Sequence, residues 1–394
     1  MTQPSPHSPS RPSTAPDFLL SRPTGSLRTQ GVKELFSSAY DASTHIRNLM
    51  ASAANSAADE VIVGCVPFAL SDPAALVIPE KTWWSEGPLE PPAFFRGHDI
   101  SDRINVSEVI TSATAEEHAE VVNAATHTIL TTQLEKVVLA RFADVHFAHP
   151  IDPLLVSARM IDLSANLDGY GMQLPEELGG SFFTGSSPEM LIKRHGAEFS
   201  AFPLAGSLPR SGNRVVDEAA ADALLNSEKD LYEHHLVVQH YRRVLEPLSR
   251  ELEIPETPEI HLTKEMIHLG TPIEGVLKDL DYSALDLALL LHPTPAVGGT
   301  PTEAAMGVIS AAEPESRGMY AGFVGWCSAN GDGEYMVAIR SADIAADGRT
   351  ARTWAGGGIV GSSDPDAEAE ETAAKMRTAL RALNVPIELL SGLS

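Results

Sequence analysis

The chain has 394 residues, room for one large domain or for two or three ordinary ones. Its hydrophobic fraction of 43% is enough for a sizeable core and too high for a disordered polypeptide. Lys and Arg number 28 against 53 Asp and Glu, a formal charge of −25, which argues against nucleic acid or an anionic membrane as a partner.

Residues 1–16 are rich in Pro and Ser and lack the apolar stretch of a signal peptide. They read as a disordered tail ahead of a single large catalytic domain, 17–394. No apolar run approaches the ~20 residues of a membrane span. Cys65 and Cys327 are the only cysteines and lack metal spacing, which points to a reducing compartment, by default the cytoplasm. Glu60–Phe68 (EVIVGCVPF) predicts a buried strand and Ala115–Gln133 an amphipathic helix. Lys136–Arg141 (KVVLAR) is a strand that Asp144–Phe147 continues. Ser181–Gly185 and Met190–Arg194 are strands around the turn Ser186-Ser187-Pro188, and Asp230–Ser249 is helical. Tyr282–Leu291 and Thr302–Ala312 are further helices.

Tyr320–Cys327 and Tyr335–Ala342 then read as strands joined by Asn330-Gly331-Asp332-Gly333, a strong hairpin signal. Arg352–Ala355 follows across Asp347-Gly348 and leads into Gly356–Gly358, after which Pro365, between Asp364 and Asp366, starts a helix. Hairpins followed by a helix imply an α+β class, with mixed, mainly antiparallel sheets flanked by helices.

Three glycines in a row let backbone amides approach an anion without a Cβ in the way. The bland reading is a turn that ends a strand. In the helix beyond, Glu368 and Glu371 lie three apart and share a face, and Asp230 and Glu233 repeat that spacing near another helix start. Two such pairs suit one Mg²⁺, although acids are common at helix starts in any case. His234-His235 invites a zinc reading, but adjacent residues face different ways, so packed or solvated imidazoles are preferred. Lys136 is either a strand-start lysine with a surface stem or a desolvated base near another cation. Glu189 is either a turn residue or a protonated acid. Leu204–Arg210 need be no more than a turn, and a histidine such as His268 is, in isolation, more often a core histidine than a catalytic one. Arg340, at the end of an apolar strand, either pairs with a buried acid or receives a ligand carboxylate.

Taken together, DEVIVGCVPF, KVVLAR, FFTGSSPEML, FPLAGSLPR, KDLYEHHLVV, MIHLGTPIEG, LHPTPAVGGTP, AGFVGWCSANGDGEYMVAIRSA and AGGGIVGSSDP resemble the chorismate-utilising enzymes. Most similar are the isochorismate synthases of catecholate siderophore pathways, and the segments keep the family's order from about Asp59 to Lys375. The resemblance implies an anthranilate synthase component I-like fold and a Mg²⁺-dependent isomerase acting on chorismate. Lys136 would then activate water and Glu189 protonate the departing hydroxyl. Glu233 and Glu371 match direct Mg²⁺ ligands, with Asp230 and Glu368 helping through water. Gly206, Ser207, His268, Ala296, Val297, Arg340, Gly356 and Lys375 match positions that contact substrate. Ala369 stands where the family often has a bulky aromatic, and Val297 where leucine is commoner.

Ammonia-adding relatives usually carry glutamine at the Lys136 position, so the lysine favours water. Aminodeoxychorismate synthases often carry lysine where Ala205 stands. Salicylate synthases share Lys136 and are the main alternative, and a catalytically silent chorismate-binding protein is a further one. The expected protein is a cytoplasmic monomer, with a downstream isochorismatase as its candidate partner.

Overall fold

The computed structural model describes residues 15–52, 60–91 and 100–390. The expected tail therefore lies almost wholly outside the described residues, although Ala15 already packs near Leu19 and Phe182. Among the described residues, a ten-stranded and a nine-stranded sheet form the body, with a three-stranded sheet beside them. All of their pairings are antiparallel, as in Gly358↔Val138 and Phe323↔Val66. No helix among them is long and apolar enough to cross a membrane.

Strand Val61–Val66 (VIVGCV) shows why its apolar run is unbroken. Val61, Val63 and Cys65 face the other large sheet and pack with Phe18, Leu20, Tyr170 and Phe183. Ile62 and Val66 face the opposite way, toward Ile46 of helix Ala39–Ala51 and Leu285 of helix Ala284–Leu291. Beyond the ten-stranded sheet, Met160 of Pro153–Leu163 and Met376 of Pro365–Ala382 pack on Ala143, Val145 and Ala355. The two large sheets thus lie face to face with helices outside them, as the α+β class requires.

Helix limits follow their caps. Thr114 and Glu117 form a reciprocal capping box at Ala115–Thr131, and Asp364 caps Pro365–Ala382 with Pro365 in its first turn. Ser227 caps Glu228–Leu245, two residues before the expected start.

Four expectations need correction. Tyr335–Ala342 is not one strand: Gly333–Val337 belongs to the nine-stranded sheet and Ser341–Ile344 to the ten-stranded one. The chain turns between them at Arg340, whose φ is +54°. Phe182–Gly185 and Met190–His195 divide between the two sheets in the same way, so Ser186–Glu189, read as a turn, is a second crossing. Finally, the strand expected to stop at Ala355 runs over Thr350–Ile359, with the three glycines inside it. They pair with Ala140, Leu139 and Val138 of strand Lys136–Phe147. Leu204–Arg210, read as a turn, contains strand Leu204–Pro209 of the small sheet.

Candidate active site

The two adjacent crossings open a cleft between the large sheets. It is lined by Glu189 and Arg340 from the crossings and by Gly206 and Ser207 from the small sheet. Its wall includes His268, Ala296, Val297, Gly356 and Lys375, so every expected substrate-contacting residue meets there. The mixed polar and apolar lining suits a small organic ligand.

Glu189 is buried, and its Oε1 has no hydrogen-bond partner. Burial pushes its carboxyl up to about 7, against a hydrogen bond from the Leu204 amide and the charges of Lys136, Lys375 and Arg340. A carboxyl that is protonated near neutrality while facing cations is a capable proton donor. Arg340 Nη2 donates to His268 Nε2 at 3.3 Å. Burial and that guanidinium hold His268 well below the usual imidazole range, so it stays neutral and accepts this bond. His268 thus lines the cleft as a neutral imidazole beside Arg340.

Strand alternation places Lys136 on the same face as Val138, which lines the cleft. The side chain is wholly buried, and its Nζ lies 3.0 Å from Glu233 Oε1. The angle of this ion pair leaves the ammonium without a well-aligned hydrogen bond. The expected neighbour was a cation; the observed one is a carboxylate.

The four predicted carboxylates, all buried, lie on helices Glu228–Leu245 and Pro365–Ala382, with Asp230, Glu233 and Glu368 around Lys229 and Glu371 against Lys375. Burial would raise Glu233, but Lys136, Lys229 and Lys375 overcome it and hold the carboxyl low. Burial and repulsion from Glu371 push Glu368 up to about 7, and burial also raises Asp230. Burial disfavours charge on Lys229, yet Glu233, Glu368, Glu371 and Asp230 together raise its pKa above the usual lysine range. Lys375 Nζ reaches Glu371 Oε1 at 2.5 Å and donates to the Gly356 carbonyl at 3.1 Å. Ser207 Oγ donates to Glu371 at 3.4 Å. Among the described residues, no three carboxylates or imidazoles form a finished metal cage. The donor set still fits a hard cation: it is all oxygen and acidic, and Glu368 Oε2 is buried without a partner.

The glycines owe their place to these side chains rather than to a nest of amides. A Cβ on Gly358 would stand 2.0 Å from Glu233 Oε1 and 2.9 Å from Lys136 Cε. One on Gly357 would stand 3.0 Å from Glu368 Oε2. Gly358→Ala should therefore cost only about 1–3 kcal/mol of stability. It should nevertheless lower turnover at least ~100-fold, because Glu233 and Lys136 must move. Thermal melts beside steady-state rates check this, and a variant that keeps turnover would show that the close approach is unimportant.

His234 is packed, with Nδ1 near the Ala205 carbonyl and Nε2 near Thr271 Oγ1, while His235 is exposed, as expected of packed and solvated imidazoles. Ala369 is buried, and its carbonyl accepts from Arg141. Two participants escaped sequence reasoning. Tyr320 lines the cleft, stacks on Trp354 at 5.7 Å, and takes a hydrogen bond from the Gly356 amide. Lys229 stands one turn before Glu233, an i,i+4 spacing that was legible.

A family model described as chorismate binding enzyme matches residues 97–384. A Mycobacterium tuberculosis protein, provisionally named isochorismate synthase MenF, is 38% identical over 94% of this chain and 96% of its own. A Bacillus anthracis structure, described provisionally as the 2,3-dihydroxybenzoate-specific isochorismate synthase DhbC, superposes with a TM-score of 0.84. Its identity is 33% over 94% of this chain and 96% of its own. Anthranilate synthase component I from Streptococcus pneumoniae shares the fold, with a TM-score of 0.69 at 18% identity over 96% of this chain and 95% of its own.

Proposed function

The chain belongs to the chorismate-binding enzyme family, and from the site it builds we propose that it is an isochorismate synthase. The reaction is the reversible conversion of chorismate to isochorismate by attack of water at C2 with loss of the C4 hydroxyl. The observation that carries this reading is a cleft lined by Glu189, its carboxyl pushed up to about 7, with the Lys136 side chain behind the wall, against the lining residue Glu233 and near enough for its charge to act on Glu189.

Lys136, acting as the neutral amine, takes the proton of the attacking water, the ring double bonds shift, and Glu189 protonates the departing hydroxyl. One water enters and one leaves, so no co-reactant is needed. Arg340, oriented by His268, receives one substrate carboxylate, while Tyr320 and Trp354 close the wall behind it. Glu233 and Glu371 would hold Mg²⁺ directly, with Asp230 and Glu368 acting through water. Bound there, the ion supplies positive charge that offsets the second substrate carboxylate in a chain of net charge −25.

Incubation with chorismate and Mg²⁺, with products separated by chromatography, tests this. Isochorismate is the expected product. Salicylate with pyruvate would replace this reading by salicylate synthase, and unchanged chorismate would make the chain a silent binding protein. In the cell the product feeds 2,3-dihydroxybenzoate formation for a catecholate siderophore. Deleting the gene should abolish catechol secretion under iron limitation, and unaffected secretion would reject that role.

A further inference from the structure

Four carboxyl groups, Asp230, Glu233, Glu368 and Glu371, face three ammonium groups in this site, Lys136, Lys229 and Lys375. Lys229 is the most central of the three. Its Nζ is 2.7 Å from Glu368 Oε1, 3.7 Å from Asp230 Oδ1 and 3.9 Å from Glu233 Oε2. Glu368, only 1% exposed, keeps its second oxygen without a partner, so the cluster holds an acceptor that no residue here satisfies.

A divalent cation entering this space would meet the Lys229 charge at close range. With Lys229 in place the ion would have to share the oxygens of Glu368, Asp230 and Glu233 with an ammonium 2.7 to 3.9 Å from them; with Lys229 withdrawn those oxygens are free for it. Geometry decides which lysine can leave. The Lys136 side chain has no exposed surface, and Lys375 is also tied to the Gly356 carbonyl. Lys229 lies in the first turn of its helix with 24% of its side chain exposed, so its flexible stem can swing outward.

We propose that Lys229 is a tethered cation that occupies the carboxylate cluster of the metal-free protein and withdraws to solvent when a divalent ion binds. It thereby neutralises a buried acidic cluster that would otherwise repel itself, and it sets metal affinity by competing for the same oxygens. This rests on the Mg²⁺ assignment above and adds a residue that opposes binding rather than ligating.

Two measurements on the full chain without substrate test it. In calorimetric titration with Mg²⁺ alone, Lys229→Met should bind on the order of tenfold tighter than wild type, because one repelling charge is lost. Lys229→Arg should stay near wild type. In the unaltered protein, acylation read by peptide mass spectrometry should show Lys229 becoming several-fold more reactive with Mg²⁺, relative to exposed Lys33. Equal or weaker Mg²⁺ binding by Lys229→Met, or Lys229 reactivity that Mg²⁺ does not change, would overturn the proposal while leaving the metal site standing. Absence of Mg²⁺ binding by every form would overturn the metal site and this proposal together.

Discussion

Lys136→Met should lower turnover of chorismate by roughly 10²–10⁴-fold while the protein stays folded and still binds substrate. Methionine is chosen because the Lys136 stem is wholly buried, and truncation to alanine would add a cavity to the loss of the amine. Removing one partner of a buried ion pair ordinarily costs about 3–5 kcal/mol, since the remaining charge is stranded. Here Glu233 keeps Lys229 at 3.9 Å, so the melting temperature should fall by less than that cost implies. The variant should therefore separate chemistry from assembly: binding of chorismate in the presence of Mg²⁺ is retained and the rate is lost. Turnover within a few-fold of wild type would remove Lys136 as the group that handles the attacking water.

Glu189→Gln should cut turnover over a similar range, roughly 10²–10⁴-fold, because an amide cannot deliver the proton that the leaving hydroxyl needs. With its carboxyl pushed up to about 7, wild-type Glu189 is protonated below that pH and ionised above it. Forward kcat/KM should accordingly fall as pH rises through about 7. The same shift has a consequence for stability with a definite sign. An acid whose folded pKa is raised binds its proton more tightly in the native state, so its contribution is fully present below the unfolded value of 4.5 and is lost as pH climbs toward about 7. The loss is at most about 3 kcal/mol. Glu189→Gln escapes it and should be at least as stable as wild type at pH 8 while almost inactive. Melts and rates at pH 6 and pH 8 check both halves, and an active variant or a flat alkaline limb would contradict the assignment.

Much of this was legible because local signals agreed. KVVLAR is buried along its length, and the caps at Thr114 and Asp364 set helix starts without help from distant residues. What the sequence could not display was which sheet a strand joins. Val337 and Ser341 are four residues apart yet lie in different sheets, and only long-range pairing decides this. For that reason Arg340 looked like the end of one strand and proved to be the crossing between two. The glycine run misled for a related reason. Its amides suggested a cradle, whereas its missing side chains admit Glu233 and Glu368, which arrive from helices far away in sequence. Tyr320 read only as the start of a strand that in fact begins at Phe323, and its place in the cleft emerged from the Gly356 amide and the Trp354 ring beside it. By contrast, the two acidic pairs were expected to face one ion and do meet around Lys229, whereas Lys136, read as a base near another cation, sits against Glu233.

The fate of the water oxygen tests the assigned chemistry most directly. Chorismate turned over by this protein in H₂¹⁸O with Mg²⁺ should yield isochorismate bearing one heavy oxygen, located at its new C2 hydroxyl by mass spectrometry. Isochorismate without the label, or a product lacking that hydroxyl, would contradict attack by water at the Lys136 side of the cleft.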